Sequence, residues 1–135
     1  MNILGKGFIL LLFVSCNKPT FTINTNTDLD CATDFIHCLY QGKFDICEQV
    51  ILPNQANVEC LNTAKFKYTQ VITKALKAKY KVASIIFENK ETVNDSISIF
   101  PYKNTVTNLN EPPLKLIKRN NKWYVDYAYT CSGNL

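Results

Sequence analysis

The chain has 135 residues, room for one domain, of which 47% are hydrophobic and 19% charged. This balance is typical of a folded globular protein and excludes a disordered chain. The formal net charge is only +4. A nucleic-acid-binding face usually needs a larger basic excess, so no nucleic-acid partner is predicted.

The first 15 residues have the pattern of an export signal. Lys6 precedes seven apolar residues at 8–14. That stretch is too short to cross a bilayer, which needs about 20 helical residues, but it matches the apolar region of a secretory leader. The segment FVSC, residues 13–16, resembles the lipobox of bacterial lipoproteins. The usual lipobox has Leu first and Gly or Ala before Cys, so Phe13 and Ser15 depart from it.

This resemblance implies that Cys16 carries acyl chains and becomes the first residue after cleavage. Residues 17–26 then form a polar tether, roughly 35 Å long when extended, and residues 27–135 form a single domain. By similarity to lipoprotein sorting rules, the absence of Asp at position 17 favours the outer membrane, with the domain facing the periplasm. The alternative is an ordinary secretory leader with an incidental cysteine.

Cysteine usage also favours export, because disulfides persist in oxidising compartments. The cysteines after the leader are Cys31, Cys38, Cys47, Cys60 and Cys131. Their odd number predicts two bridges and one free, buried thiol. Cys47–Cys60 is the preferred pair, since each residue is predicted beside a helix end across a short loop. Cys131 is left to pair with Cys31 or Cys38, and the sequence does not choose between them.

The domain begins with two predicted helices. Thr27 has the chemistry of an N-cap, apolar residues then recur at helical spacing, and Gly42 ends this first helix. A second, short helix at 44–51 is closed by Pro53. Residues 54–57 are predicted as a loop.

A third helix is predicted from about Leu61 to Lys79. Charge is unevenly distributed along this half of the chain: residues 28–59 carry six acids and one base, whereas residues 65–81 carry six lysines and no acid. The sequence therefore predicts two oppositely charged helical segments that attract each other. A face that binds phosphate or anionic lipid headgroups is the alternative.

After Tyr80 the spacing at which apolar residues recur changes from about 3.6 residues, typical of a helix, to about two residues, typical of a strand. Residues 81–88 and 96–103 are predicted strands, and Pro101 confines the second to an edge or a bulge. Pro112 and Pro113 are predicted to break the chain.

A β-hairpin follows at 114–127, because Asn120-Asn121 suits a two-residue turn with positive φ. The predicted facing pairs are Leu114–Tyr127, Leu116–Val125 and Lys118–Trp123 on an apolar side, and Ile117–Tyr124 and Lys115–Asp126 on the other.

Two segments resemble nuclear transport factor 2-like domains. FIHCLYQGKFDICEQVI is similar to their opening helices, and PPLKLIKRNNKWYVDY is similar to their closing hairpin. In order of elements, the resemblance covers about residues 28–129. It implies an α+β fold in which N-terminal helices pack on a curved antiparallel sheet, giving a cone. Small bacterial lipoproteins of unknown function with this fold are the group that the chain resembles.

The cone of this family often holds a pocket, and the leading hypothesis is a non-catalytic binding or assembly module, held at a membrane and exposed to the periplasm. The candidate pocket residues are Phe35, Leu39, Leu116, Trp123 and Tyr127. Aromatic side chains favour a small apolar or flat ligand, although the same residues could simply fill the core. An inhibitor or immunity lipoprotein that binds a protein partner by its surface is an alternative that the sequence does not separate from the first.

Some members of the family are isomerase-like or dehydratase-like enzymes that use Asp, His or Tyr in the pocket. Here His37, the only histidine, falls on a polar helix face, and Asp126 lies on the polar side of the hairpin. Tyr124, Tyr127 and Tyr129 are more typical of packing than of proton transfer. No catalytic residue, metal site or cofactor is therefore predicted, and a pocket enzyme stands as a further alternative.

Overall fold

The computed structural model describes residues 20–132 and has an α+β architecture, which confirms the α+β part of the predicted fold. Five α-helices and a five-stranded antiparallel sheet make up this part of the chain. The helices are α1 Asp28–Tyr40, α2 Phe44–Glu48, α3 Gln55–Phe66, α4 Lys74–Lys81 and α5 Tyr127–Cys131. The strands are β1 Ile85–Phe87, β2 Glu91–Asn94, β3 Ile97–Asn104, β4 Asn110–Arg119 and β5 Lys122–Asp126.

Helix α1 begins and ends where the sequence predicts. The Thr27 hydroxyl accepts a hydrogen bond from the Asp30 N–H at 3.1 Å, as an N-cap does. At the other end Gly42 has φ +70°, the left-handed conformation that commonly follows a helix C-terminus. The Tyr68 ring packs directly on Gly42, and a Cβ added there would lie 2.5 Å from the Tyr68 Cε1. Gly42 is therefore required both by its φ and by the neighbouring ring.

The third predicted helix is two helices in the structure. The first begins earlier than predicted, and the chain changes direction between the two. Asn54 caps α3 by accepting from the Asn57 N–H at 2.9 Å, so the predicted loop at 54–57 is the start of the helix. After α3 the chain makes a π-helical turn at Lys67–Val71 and becomes extended at Ile72. Thr73 then caps α4. The β-branched run Val71-Ile72-Thr73 has weak helix propensity, and the threonine hydroxyl favours a new N-terminus.

The sheet is an antiparallel meander in which β3 is central. The strand order is β1-β3-β4-β5, and β2 also pairs with β3. The predicted strand at 81–88 is shorter because α4 continues to Lys81, and β2 was not predicted.

Three prolines lie together in this sheet without interrupting it. Pro101 lies at a bulge, where the β3–β4 register shifts between Phe100 and Tyr102. Pro112 and Pro113 face this bulge inside β4. The prediction that they break the chain is wrong, because the ladder requires no N–H from them there.

The closing hairpin has the predicted register. Leu116 pairs with Val125, Lys118 with Trp123, Ile117 with Tyr124 and Lys115 with Asp126. Asn120 and Asn121 have φ of 50° and 59°, as a two-residue turn requires. The predicted pair Leu114–Tyr127 is absent from the ladder, because Tyr127 already begins α5.

The described part of the predicted tether lies on the domain instead of extending away from it. Phe21 and Ile23 pack against the core, and the Trp123 N–H donates to the Thr25 carbonyl at 2.9 Å. Lys43 Nζ lies 4.6 Å from the centre of the Phe21 ring. The folded body therefore begins by Phe21, six residues before the predicted boundary at 27.

The predicted attraction between oppositely charged helices is not realised as ion pairs. In residues 20–132 the ion pairs are Lys90–Asp28 and Lys115–Asp126, and neither involves a lysine of 65–81. Five of those six lysines are exposed. The lysines of this segment thus form a solvated face.

Replacing Gly42 with Ala should lower the free energy of unfolding by roughly 1–3 kcal/mol, because the new Cβ would meet Tyr68 at a left-handed φ. Urea unfolding followed by circular dichroism measures this change. The matched control is Gln41→Ala, one residue earlier at ordinary helical φ, which should stay within about 0.5 kcal/mol of the wild type. Equal stability of both variants would contradict the prediction.

Candidate functional site

A cavity of about 580 Å³, partly open to solvent, lies between the helices and one end of the sheet. All five helices and the π-helical turn contribute to its wall, together with β3 and β4. The lining residues are Leu39, Tyr40, Phe44, Thr63, Ala64, Lys67, Tyr68, Ile72, Tyr80, Tyr102, Glu111, Pro112, Tyr127, Thr130 and Cys131. This volume is within the range of small-molecule binding sites.

Tyrosine dominates the wall. Five of the seven tyrosines of the chain line the cavity: Tyr40, Tyr68, Tyr80, Tyr102 and Tyr127. The rings of Tyr40 and Tyr80 lie 4.9 Å apart, which joins α1 to α4. The break before Thr73 turns α4 so that Tyr80 reaches this position.

Phenylalanine rings pack against three of the other tyrosine rings. Phe35 packs edge-on against Tyr127 at 5.3 Å, and Phe44 packs against Tyr68 at 5.6 Å. Phe87 lies 6.2 Å from Tyr102. The tyrosine positions are therefore fixed by packing, since aromatic pairs of this geometry are favourable.

Asn104 organises the polar end of the cavity. Its side chain is fully buried, and its amide nitrogen donates to the Tyr40 hydroxyl and to Glu111 Oε1, each at 2.9 Å. Its oxygen accepts from the backbone N–H groups of Val106 and Thr107 at 2.9 and 3.0 Å. One side chain thus fixes a tyrosine of α1, a carboxylate of β4 and the turn between β3 and β4.

Glu111 is the carboxylate of the lining. Its Oε1 accepts from Asn104 and, at 3.4 Å, from the Thr107 hydroxyl. Within residues 20–132 no hydrogen bond or ion pair reaches its Oε2. Lys67 also lines the cavity, but its Nζ lies more than 4 Å from the carboxylate oxygens of Glu111 and forms no ion pair with them. The negative charge of Glu111 is therefore not neutralised by a basic side chain of the described residues.

Four of these tyrosine hydroxyls, those of Tyr40, Tyr80, Tyr102 and Tyr127, are held in their protonated form. Burial raises the pKa of Tyr127 to about 12, and the charge of Glu111 adds to this rise. Burial also raises the pKa values of Tyr40, Tyr80 and Tyr102, again with a contribution from Glu111. At neutral pH the cavity therefore presents neutral phenols, which can donate hydrogen bonds to a ligand.

The five candidate pocket residues are divided between the cavity and the core. Leu39 and Tyr127 line the cavity, whereas Phe35 lies behind Tyr127. Leu116 and Trp123 are buried in the core and are not part of the lining. The inner face of the hairpin packs against α1, so its side chains fill space there.

Sequence reasoning missed most of the lining. The lining residues Tyr40, Tyr80, Tyr102 and Glu111, and the buried Asn104 that bonds two of them, come from four elements that only the tertiary fold brings together. Seven tyrosines in a short chain were an available signal, but nothing in their spacing indicated one site.

The other polar candidates lie outside the cavity. His37 is half-buried on α1 and is not in the lining. Asp126 pairs with Lys115 at 3.7 Å, as predicted. Tyr124 lies on the opposite face of β5 from Trp123 and Val125, and Tyr129 stacks under Lys115 Nζ at 5.4 Å.

The preferred disulfide Cys47–Cys60 is wrong. Cys60 is bonded to Cys131, which joins α3 to α5 with Cα atoms 6.1 Å apart. The reason is the early start of α3: Cys60 lies inside the helix, on the side facing α5, and not at a helix end beside Cys47. Closing a loop of 71 residues stabilises the fold by roughly 4 kcal/mol in the chain-entropy view.

The remaining three cysteines are fully buried thiols. Cys38 and Cys47 lie side by side with their sulfurs 2.6 Å apart. Cys31 donates to the Trp123 carbonyl at 3.5 Å, and burial raises the pKa of its thiol to about 12. Neither Cys31 nor Cys38 is therefore the partner of Cys131.

The predicted signal at 1–15, Cys16 and tether residues 17–19 lie outside the described residues. Among residues 20–132, no helix is both long enough and apolar enough to span a membrane. The same part of the chain holds no cluster of three or more His, Cys, Asp or Glu side chains suited to a metal ion.

Comparison with models of protein families, with curated proteins and with solved structures found no match to this chain.

The raised pKa of Tyr127 predicts a loss of stability in alkali. The unfolded phenol ionises near pH 10, while the folded one keeps its proton to about pH 12, so the free energy of unfolding falls across this interval. Tyr127→Phe should remove roughly 2–3 kcal/mol of that fall. At pH 7 it should cost little, because the Tyr127 hydroxyl makes no hydrogen bond within the described residues.

Urea unfolding of both proteins at a series of pH values tests this prediction. Parallel curves from pH 7 to pH 12 for the wild type and the variant would contradict it.

Proposed function

We propose that the chain is an exported lipoprotein, anchored at the outer membrane through Cys16 and facing the periplasm, whose domain is a non-catalytic binding module. The ligand is a small, largely apolar or flat molecule held in the tyrosine-lined cavity. The observation that carries the proposal is this cavity of about 580 Å³ with aromatic walls and a few convergent polar groups. Such a combination is the usual form of a small-molecule site.

The fixed positions of the wall residues support a binding site. They argue against a cavity that is merely a defect in packing. The tyrosines rest on phenylalanines, Asn104 fixes Tyr40 and Glu111, and the Cys60–Cys131 bridge holds α5 at the edge of the cavity. A pocket that is already formed loses less conformational entropy when its ligand binds.

The early start of the folded body, at Phe21, supports a position close to the membrane. Because Phe21 and Ile23 pack on the domain, only residues 17–20 would separate an acylated Cys16 from the folded body. Four extended residues span about 14 Å, well below the roughly 35 Å of a ten-residue tether. The domain would therefore lie against the lipid surface.

A cone-shaped fold of the nuclear transport factor 2-like type is part of the proposal. Its support is the order of elements: helices first, then an antiparallel meander bulged at Phe100–Tyr102, with a cavity between the two layers. The opening helices and closing hairpin occupy the segments that carry the resemblance.

A pocket enzyme of the isomerase or dehydratase kind is the second candidate. Glu111 lies among the tyrosine hydroxyls and raises their pKa values, so a carboxylate and several proton donors share one cavity. The binding module is preferred because His37 and Asp126, the other acid–base candidates of the sequence, lie outside the cavity lining. Recovery of the ligand unchanged after incubation with the protein separates the two.

Native mass spectrometry of the protein extracted from membranes in mild detergent tests the proposal. We expect a chain that begins at Cys16 and carries acyl groups, together with a noncovalent small-molecule adduct. Ala64→Trp should remove most of the adduct, because Ala64 lines the cavity and a tryptophan there would fill it.

The matched control is Ala56→Trp on the same helix, which is exposed and outside the lining, and it should keep the adduct. An uncleaved leader or an unacylated Cys16 would contradict the lipoprotein assignment. An adduct that persists in Ala64→Trp would contradict the assignment of the cavity.

A further inference from the structure

We propose that the ligand of the cavity carries a cationic amine, which Glu111 binds while tyrosine rings surround it. This inference rests on the proposed binding function and names the chemical class of the ligand. It follows from the charge of the site, from its aromatic wall and from the positions of the nearby lysines.

The first support is the negative charge of Glu111. Glu111 brings a carboxylate to an otherwise largely apolar cavity, and within residues 20–132 no basic side chain pairs with it. One oxygen is held by Asn104 and Thr107, which leaves Oε2 for a ligand. A carboxylate in such surroundings favours a cation, since a charge-assisted hydrogen bond is stronger than a neutral one.

The aromatic wall favours the same chemistry. The rings of Tyr40, Tyr80, Tyr102 and Tyr127 line the cavity, and their hydroxyls are close enough to Glu111 for its charge to raise their pKa values. Faces of aromatic rings attract ammonium groups, and these four rings share one cavity wall with the Glu111 carboxylate, an arrangement that we call the tyrosine cage. No lysine or arginine of the described residues lies over these four rings.

The lysines near the cavity do not occupy this cage. Lys77 lies over the fifth ring, Tyr68, with Nζ 4.7 Å from its centre. Lys67 is exposed on the π-helical turn. The site for a cation at Glu111 is therefore open to a ligand amine.

The test compares three probes that share one phenyl ring: phenethylammonium, neutral phenethyl alcohol and anionic hydrocinnamate. Their affinities for the full-length protein are measured by nuclear magnetic resonance titration at low salt. We expect phenethylammonium to bind at least about tenfold more tightly than phenethyl alcohol, and hydrocinnamate to bind most weakly.

Glu111→Gln should abolish the tenfold margin while changing the affinity for phenethyl alcohol by less than about threefold. The amide oxygen of the new side chain can still accept from Asn104, so the wall is retained. Glu88→Gln is the matched control: it removes the same charge from an exposed position outside the lining and should keep the margin.

The outcomes separate the two proposals. If phenethyl alcohol or hydrocinnamate binds as tightly as the amine, or if Glu111→Gln keeps the margin, the cationic class is wrong and the binding module stands. If none of the three probes binds, the proposed cavity function fails, and this inference fails with it.

A second inference comes from the cysteines and does not depend on the cavity. We infer that Cys38 and Cys47 form a second disulfide in the exported protein. Their sulfurs are 2.6 Å apart, both side chains are fully buried, and they join the end of α1 to α2. With Cys60–Cys131 this bridge would leave Cys31 as a single buried thiol, the count that the sequence predicts.

The bond forms by exchange with an exported thiol oxidase that carries a reactive disulfide. The Cys38 thiolate attacks one oxidase sulfur and releases the other as a thiolate, giving a mixed disulfide. Cys47 then loses its proton and attacks the Cys38 sulfur, which releases the second oxidase thiolate. Two electrons and two protons pass to the oxidase. Because both cysteines are buried, the exchange precedes the final closure of the fold.

Alkylation of the denatured, exported protein without reductant tests this second inference by mass spectrometry. Of the five cysteines after Cys16, we expect labelling of Cys31 alone, and of all five after reduction. Cys47→Ala should expose Cys38 to labelling without affecting Cys60–Cys131, and Cys31→Ala should abolish labelling without reductant.

Labelling of both Cys38 and Cys47 in a protein whose Cys60–Cys131 bridge is intact would overturn this second inference. The proposed export would still stand. Labelling of Cys60 and Cys131 as well would overturn the proposed export to an oxidising compartment.

Discussion

The buried amide of Asn104 is the interaction on which the site depends. Its two N–H groups bind Tyr40 and Glu111, and its oxygen binds two backbone N–H groups of the β3–β4 turn. An unsatisfied buried amide is costly, so each partner is held in place by the others. A helix, a strand and a turn are thereby fixed at one point, and the carboxylate of Glu111 is fixed with them.

The remaining walls of the cavity depend on how α4 and α5 are placed relative to Asn104 and its partners. The chain leaves α3 through a π-helical turn and restarts at Thr73, which brings Tyr80 against Tyr40. A single continuous helix from 61 to 79 would carry Tyr80 elsewhere. The bridge from Cys60 to Cys131 holds α5, with Tyr127, on the remaining side. The space between the layers is thus kept open by elements that are each fixed independently.

Local chemistry accounts for the parts of the fold that the sequence predicts well. The Thr27 cap, the Gly42 terminus and the Asn120-Asn121 turn each depend on neighbouring residues, and the hairpin register follows from its turn. The break at Thr73 was missed because a helical apolar pattern continues across it. The start of α3 was missed because Asn54 was assigned to a loop, and the wrong disulfide followed from that error.

The candidate site was much less predictable. In β3 the inward side chains include Ser98 and Asn104, while Ile97 and Ile99 are only half-buried on the other face. An apolar pattern alone gives no reason to place an asparagine inside, because its burial depends on Tyr40 and Glu111, which lie far away in sequence. The predicted pocket residues Leu116 and Trp123 fill the core, since their strands, β4 and β5, both pack against α1.

The most direct test of this account is an experimentally determined structure of the protein saturated with phenethylammonium. We predict the ring of the probe within the tyrosine-lined cavity and its nitrogen within hydrogen-bonding distance of the Glu111 carboxylate, with Asn104 still bridging Tyr40 and Glu111. A cavity filled by the protein's own side chains, or a probe bound away from Glu111, would contradict it.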